Sequence, residues 1–316
     1  MRDTVRRELS IYASTLSENC KKFTRETEKA AYFVEALYSY PQLYDLSLDG
    51  MDNRYKRHGD GYFLIEEEKR WILGASGAIP VNSRIKRELK LLENAKPKFR
   101  DVFNALNYCD EFWFFTTESV CAGWVEYSPI ADTLPEKLDL SQLYSSGITR
   151  WDWYAIVGPV NNPGRVGIWS PFPCVDLYGQ WVFAYDFPVY VEEQYKGVVA
   201  PHAKIEYMLN DSIYKSKERM LVVHDDSTLI GMNAAAQESF DIECYEYRAW
   251  DDHSKKISYV RTDLNLMNNK TQSIVELADA LKWQNEFEIS IGCKSYLVMR
   301  ERVPEIKCSI VACIDK

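Results

Sequence analysis

The sequence is poor in the groups that catalysis usually needs. Only four histidines occur in 316 residues, His58, His202, His224 and His253, and each stands alone. No GxSxG or HExxH surrounds any of them, so a nucleophilic triad or a zinc peptidase has nothing to rest on. A solvated or hydrogen-bonded ring is the ordinary reading of each. The eight cysteines include no Cys-x-x-Cys pair, and their spacing fits no zinc framework. Asp225–Asp226 and Asp251–Asp252 resemble metal ligands, but no EF-hand spacing follows either, and both pairs read as turn residues. Walker A and GxGxxG loops are missing too, which leaves a nucleotide site unsupported. No metal and no cofactor is expected.

Basic charge is also short. Lys and Arg number 38 against 47 Asp and Glu, giving a formal net charge of −9. Nucleic acid, which needs clustered cations, is not an expected partner, and an anionic membrane surface is disfavoured for the same reason. No apolar run is long enough to span a bilayer. The opening MRDTVRRELS is basic but leads into no apolar stretch, so it does not read as a signal peptide. Any membrane anchors would lie outside this sequence. Several cysteines sit in apolar runs (VACID, IECYEY), where buried thiols are expected ahead of a disulfide framework.

What is present begins with a long helical signal. Val5, Leu9, Tyr12, Leu16, Cys20, Phe23, Ala30, Val34 and Leu37 recur at steps of three and four over residues 3–40, up to Pro41. Such a helix is about 55 Å long, longer than one small domain needs, and suits a spine or a pairing surface as well as a packed side helix. Tyr44 to Pro80 is irregular, with a short strand at Arg70 to Leu73. Ser83 is a plausible N-cap for a helix towards Ala95, and Pro97 starts a second. EFWFFTT and VCAGWVEY then read as a hairpin. After residue 206 a shorter set follows: the hairpin MLVVHDDSTLIGM, a helix over Thr271–Lys282, and the alternating runs EFEISIG, SYLVMRERV and IKCSIVACID. The expected class is α+β: a long helix over 1–40, then modules over 41–210 and 211–316, each with an antiparallel sheet flanked by helices.

The stretch Trp151–Ala203 carries most of the functional signal. It packs aromatic residues and turn formers into three strand-like runs, a composition suited to the wall of a small-molecule pocket. Trp181, Phe183, Tyr185, Phe187 and Val189 alternate with Val182, Ala184, Asp186 and Pro188, which makes one sheet face strongly aromatic. Arg150, Trp151, Asp152, Trp153 and Tyr154 form the strongest polar–aromatic cluster, able to hold a carboxylate between rings. From residue types alone, a surface arginine beside a core strand explains that cluster more simply.

In this stretch Trp153, Tyr154, Trp169, Ser170, Pro171, Asp176, Gly179, Pro188, Val189, Tyr190, Gly197, Val198 and Val199 follow one another in an order that resembles the distal module of double Cache sensor domains. Those are extracytoplasmic regions of prokaryotic transmembrane receptors, two PAS-like modules on one long helix. The resemblance implies a non-catalytic sensor that binds an organic acid, amino acid or similar metabolite in its distal module and pairs through its helix. Arg150, Trp153 and Tyr154 would hold the ligand, with Asp176, Tyr185, Asp186 and His202 as further candidates. Amino-acid sensors of this type use Arg-x-Trp-Tyr and an acid after the GVV strand. Here Arg150 stands one residue further from Trp153, and His202 occupies the acidic position. An imidazole binds an ammonium poorly, so an organic acid fits equally well. The aromatic content, with nine tryptophans and 21 tyrosines, also suits a carbohydrate-binding or glycosidase domain.

Overall fold

The computed structural model describes the chain except residues 1, 59–60, 67–69, 76–79, 107, 127–151, 170–173, 176–180, 205–207, 209–211, 241 and 243–263. The chain divides into two compact units. The N-unit comprises Phe23–Ser170 and Ala184–Ala203; the C-unit comprises Met1–Lys22, Pro171–Phe183 and Lys204–Lys316.

Helix α1 (Arg2–Ser39) has 38 residues. Val5, Leu9, Leu16 and Cys20 are buried in the C-unit, Phe23, Ala30, Val34 and Leu37 in the N-unit. The three-and-four spacing therefore marks the face that packs, while Ile11 and Tyr32 face outward. In the C-unit α1 is fixed by Ser17 Oγ donating to Glu305 Oε1 at 2.8 Å, by a Lys21–Glu305 ion pair at 3.2 Å, and by Arg2 and Arg6 against Glu286.

The N-unit continues with α2 (Met51–Arg54), β1 (Lys56–His58), β2 (Gly61–Glu66) and β3 (Trp71–Ala75). Helices α3 (Ser83–Glu93) and α4 (Lys96–Ala105) precede β4 (Cys109–Thr116) and β5 (Val120–Val125). Then come α5 (Asp152–Val157), β6 (Ile168–Trp169), β7 (Cys174–Val175, within the C-unit stretch Pro171–Phe183), β8 (Trp181–Val191, which begins in that stretch) and β9 (Gln194–Lys204). The sheet runs β1-β2-β3-β5-β4-β9-β8-β6, with β7 paired to the start of β8.

Three expectations from sequence differ here. Strand β2 was hidden in a region read as irregular, because Gly61 to Leu64 are buried and show no alternation. WDWYAIV, read as a strand, is the short helix α5. Its carbonyls are met by asparagine side chains: Asn161 Nδ2 donates to Ala155 O at 2.9 Å, and Asn162 Nδ2 to Val157 O at 3.5 Å. The N-cap of α3 is Asn82 rather than Ser83; its Oδ1 accepts from Arg84 N at 2.9 Å and Ile85 N at 3.1 Å.

The C-unit contains α6 (Ser212–Lys215), β10 (Arg219–His224), β11 (Leu229–Met232) and α7 (Ala234–Phe240). It ends with α8 (Gln272–Trp283), β12 (Glu286–Ile291), β13 (Lys294–Val303) and β14 (Cys308–Asp315). Its sheet order is β11-β10-β14-β13-β12. One sheet face and α8 share a core that includes Leu221, Val223, Ile274, Leu277, Tyr296, Val298 and Val311. The N-unit repeats this order in β5-β4-β9-β8-β6, with β1–β3 added beside β5. Each unit is thus a hairpin whose first strand pairs with the last strand of a later meander. The α+β class, the long helix and the two antiparallel sheets agree with the double Cache architecture.

Among the described residues no helix is long and apolar enough to cross a membrane, and no cluster of His, Cys, Asp or Glu could hold a metal. Among the described residues the cysteine side chains Cys20, Cys109, Cys121, Cys308 and Cys313 are buried and Cys293 is exposed.

Candidate functional site

Strand β4 reads CDEFWFFT and is buried along its whole length. Its even positions face the helices: Phe112 meets Phe99 of α4 edge-on at 5.0 Å, and Phe114 meets Tyr38 of α1 at 6.2 Å. Glu111, Trp113 and Phe115 point to the opposite face by strand alternation. Two carboxylates enter this apolar strand, Asp110 at 4% exposure and Glu111 at 1%. The register of β4 against β9 slips between Cys109 and Glu111, so Asp110 is the extra residue of a bulge.

Glu111 lies opposite His202 of β9. Its Oε2 is 3.1 Å from His202 Nδ1 and accepts from Trp113 Nε1 at 2.9 Å. Glu111 Oε1 is buried with no hydrogen-bond partner among the described residues. Trp113 can lie flat beside this pair because Gly123 stands opposite it on β5; a Cβ there would strike the indole. Burial disfavours the charged His202 ring, but the hydrogen bond and charge of Glu111, with the charges of Asp110 and Asp186, outweigh it and lift the imidazole to about 9. Protonated, it donates to a carboxylate on one side and leaves the rest of the cluster rich in acid.

Asp186 is 1% exposed in the middle of β8. Its neighbours turn the other way, towards α1. Tyr185 Oη donates to Glu28 Oε1 at 3.1 Å, and Phe187 meets Tyr32 edge-on at 5.9 Å. Trp169 lies 5.2 Å from Tyr185 and stacks on Phe23 of α1 at 5.4 Å. Gly167 makes room for the Tyr185 ring, which a Cβ would meet. The aromatic face of β8 is therefore where the N-unit receives α1, and burial with the Glu28 charge raises the Tyr185 phenol.

Of the residues singled out from sequence, the structure brings Asp186 and His202 into one charged cluster and sets Tyr185 against α1. Tyr154 is buried in α5 with its ring 5.9 Å from Tyr195, which in turn lies 5.3 Å from Tyr190. Trp153 belongs to α5, with its side chain outside the described residues; Arg150 and Asp176 lie outside them entirely. Asp110 and Glu111 were not singled out. The available signal was two adjacent acids inside a run of rings, a placement that burial tolerates only with partners.

No family model and no curated protein sequence matches the chain. Solved structures similar to it include an extracellular ligand binding receptor from Desulfohalobium retbaense, at 9% identity and TM-score 0.48, covering 97% of this chain and 40% of that one. The chain thus spans well under half of that receptor's length. The sensory domain of the Campylobacter jejuni chemoreceptor Tlp3 with isoleucine bound is 14% identical, with TM-score 0.43, 97% of this chain covered and 94% of that one. The ligand binding domain of Mlp24 with asparagine is 15% identical, with TM-score 0.38 and 71% and 72% covered.

Proposed function

We propose that this chain is the extracytoplasmic ligand-binding region of a transmembrane signalling receptor, and that its N-unit binds a small metabolite bearing a cationic amine. The observation that supports this most is the buried Glu111 Oε1, which has no hydrogen-bond partner among the described residues and lies near the charges of Asp110, Asp186 and His202. A buried acceptor left unpaired costs about 1–3 kcal/mol, more when charged. A ligand ammonium would supply the missing donors. His202 then does not stand in for the usual acid: it orients Glu111, and Glu111 with Asp186 takes that role. Arg150, Trp153 and Tyr154 remain the proposed grip for a ligand carboxylate, so an amino acid or an amine suits the site better than a plain organic acid.

Signal transfer follows from β8. Asp186 sits between Tyr185 and Phe187, which both touch α1. A ligand that draws Asp186 inward biases the strand, and the strand biases the helix. In the full receptor, copies of the chain would pair through that helix. The test is a thermal-shift screen of amino acids, amines and carboxylates, followed by calorimetry on Glu111→Gln, Asp186→Asn and Arg150→Ala. Binding of an amine or amino acid that weakens at least tenfold in both acid variants supports the reading. Binding of plain carboxylates or oligosaccharides only, or binding indifferent to Glu111 and Asp186, overturns it.

A further inference from the structure

The C-unit has a pocket of about 200 Å³ at one end of its sheet, between β13, β14, β10 and the last turn of α8. Along β13, Tyr296 and Val298 lie in the core beneath α8. The next positions of the same row are Arg300 and Arg302, so two guanidiniums continue a row that is otherwise apolar. Ser309 of β14 stands opposite Arg302, and Val223 of β10 opposite Ser309. Lys282 completes the lining from α8, giving three cationic side chains against one carboxylate, Asp225.

Arg300 is the informative group. Nε donates to Asn285 Oδ1 at 2.9 Å, and Nη1 donates to the carbonyl of Leu281. Both acceptors are neutral, and among the described residues no carboxylate forms an ion pair with this guanidinium. Burial lowers its affinity for the proton; Asp225 works against that, and the like charge of Arg302 adds to it. A half-buried cation fixed by neutral carbonyls keeps the rest of its fork unmatched, and a fork of that kind fits an oxyanion. Arg302 pairs with Asp225 and is 58% exposed, so it can turn to share an incoming anion. Lys282 Nζ is held only loosely, 3.6 Å from Asp279.

We propose that this pocket is a binding site for a small oxyanion, a carboxylate or a phosphate, held by Arg300 with Arg302 and Lys282. A pocket of about 200 Å³ has room for inorganic phosphate or a short carboxylate. The site is independent of the N-unit and of the ligand proposed there.

The test uses the whole chain at constant ionic strength, titrated with sodium phosphate, acetate and succinate against a chloride control. One-site, saturable binding of at least one oxyanion is expected, with hydrogen-exchange protection confined to Leu281–Asn285 and Arg300–Ser309. The phosphate and carboxylate arms separate the two sources. Arg302→Gln, an exposed change that leaves the core intact, should weaken binding about tenfold or more, and Arg300→Gln should abolish it. If no oxyanion binds while Arg300→Gln still lowers Tm, Arg300 is a helix cap alone and the proposal fails. Binding unaffected by Arg302→Gln and Lys282→Gln, or protection elsewhere in the chain, also overturns it.

Discussion

His202 is set to lose its proton well above neutrality, and the sign of its effect on stability follows. Its folded value of about 9 lies above the ordinary imidazole value. The Glu111–His202 pair therefore stabilises the fold fully below about pH 6.5, and that contribution is lost as pH rises through 9. Its ceiling is about 3 kcal/mol. Urea unfolding at pH 6 and pH 9.5 should show a drop in the wild type that His202→Gln removes; equal drops in both proteins would count against the pair. A second residue-scale test concerns Gly197, whose added Cβ would meet the backbone carbonyl of Phe115. Gly197→Ala should cost about 1–3 kcal/mol, measured by the same unfolding curves, since backbone cannot yield as a flexible side chain does. At this scale the sequence was only half legible. His202 and Asp186 stood out by their neighbours in the chain, whereas Glu111 acquires meaning only from a cross-strand partner that pairing, not spacing, supplies.

Elements were read best where their period was long. The heptad-like row of α1 returned as the buried face, since a helix of that length repeats its signal many times over. Leu16 is 1% exposed, and Leu16→Ala should cost about 2–5 kcal/mol in thermal unfolding. Asn82→Ala, which removes the two backbone bonds at the start of α3, should cost about 1 kcal/mol. Short elements misled. Six residues of α5 offer less than two turns, too few for periodicity to separate helix from strand, and the asparagines that close it act from outside the element. The aromatic face of β8 was visible in sequence as a face, but its partner was not: rings that line a pocket and rings that receive a helix have the same composition.

For the whole molecule, the repeated strand order explains how two sheets with no shared sequence can belong to one architecture. Order is set by which strand pairs with which, and the same burial pattern is met by different residues. Cysteine usage gives a test at this scale. Cys20, Cys109, Cys121, Cys308 and Cys313 are buried thiols and Cys293 is exposed. Burial pushes the Cys313 thiol up to about 12, which keeps it protonated and inert. Brief alkylation of the native protein followed by peptide mapping should label Cys293 and spare the five buried residues; labelling of any of those five before unfolding would contradict the packing described.

The pairing of first strand with last also bears on how the chain reaches its folded state. Glu111 and His202 are separated by 91 positions, and Val222 faces Ile310 across the same kind of gap. The hairpins β4–β5 and β8–β9 can close early, but the contact between them waits on a long loop whose closure entropy must be met first. The acid cluster therefore depends on a pairing that joins distant parts of the chain. A ligand that needs Glu111 beside His202 would thus act as a clamp on the finished N-unit, holding together two hairpins that the chain joins only through a long connection.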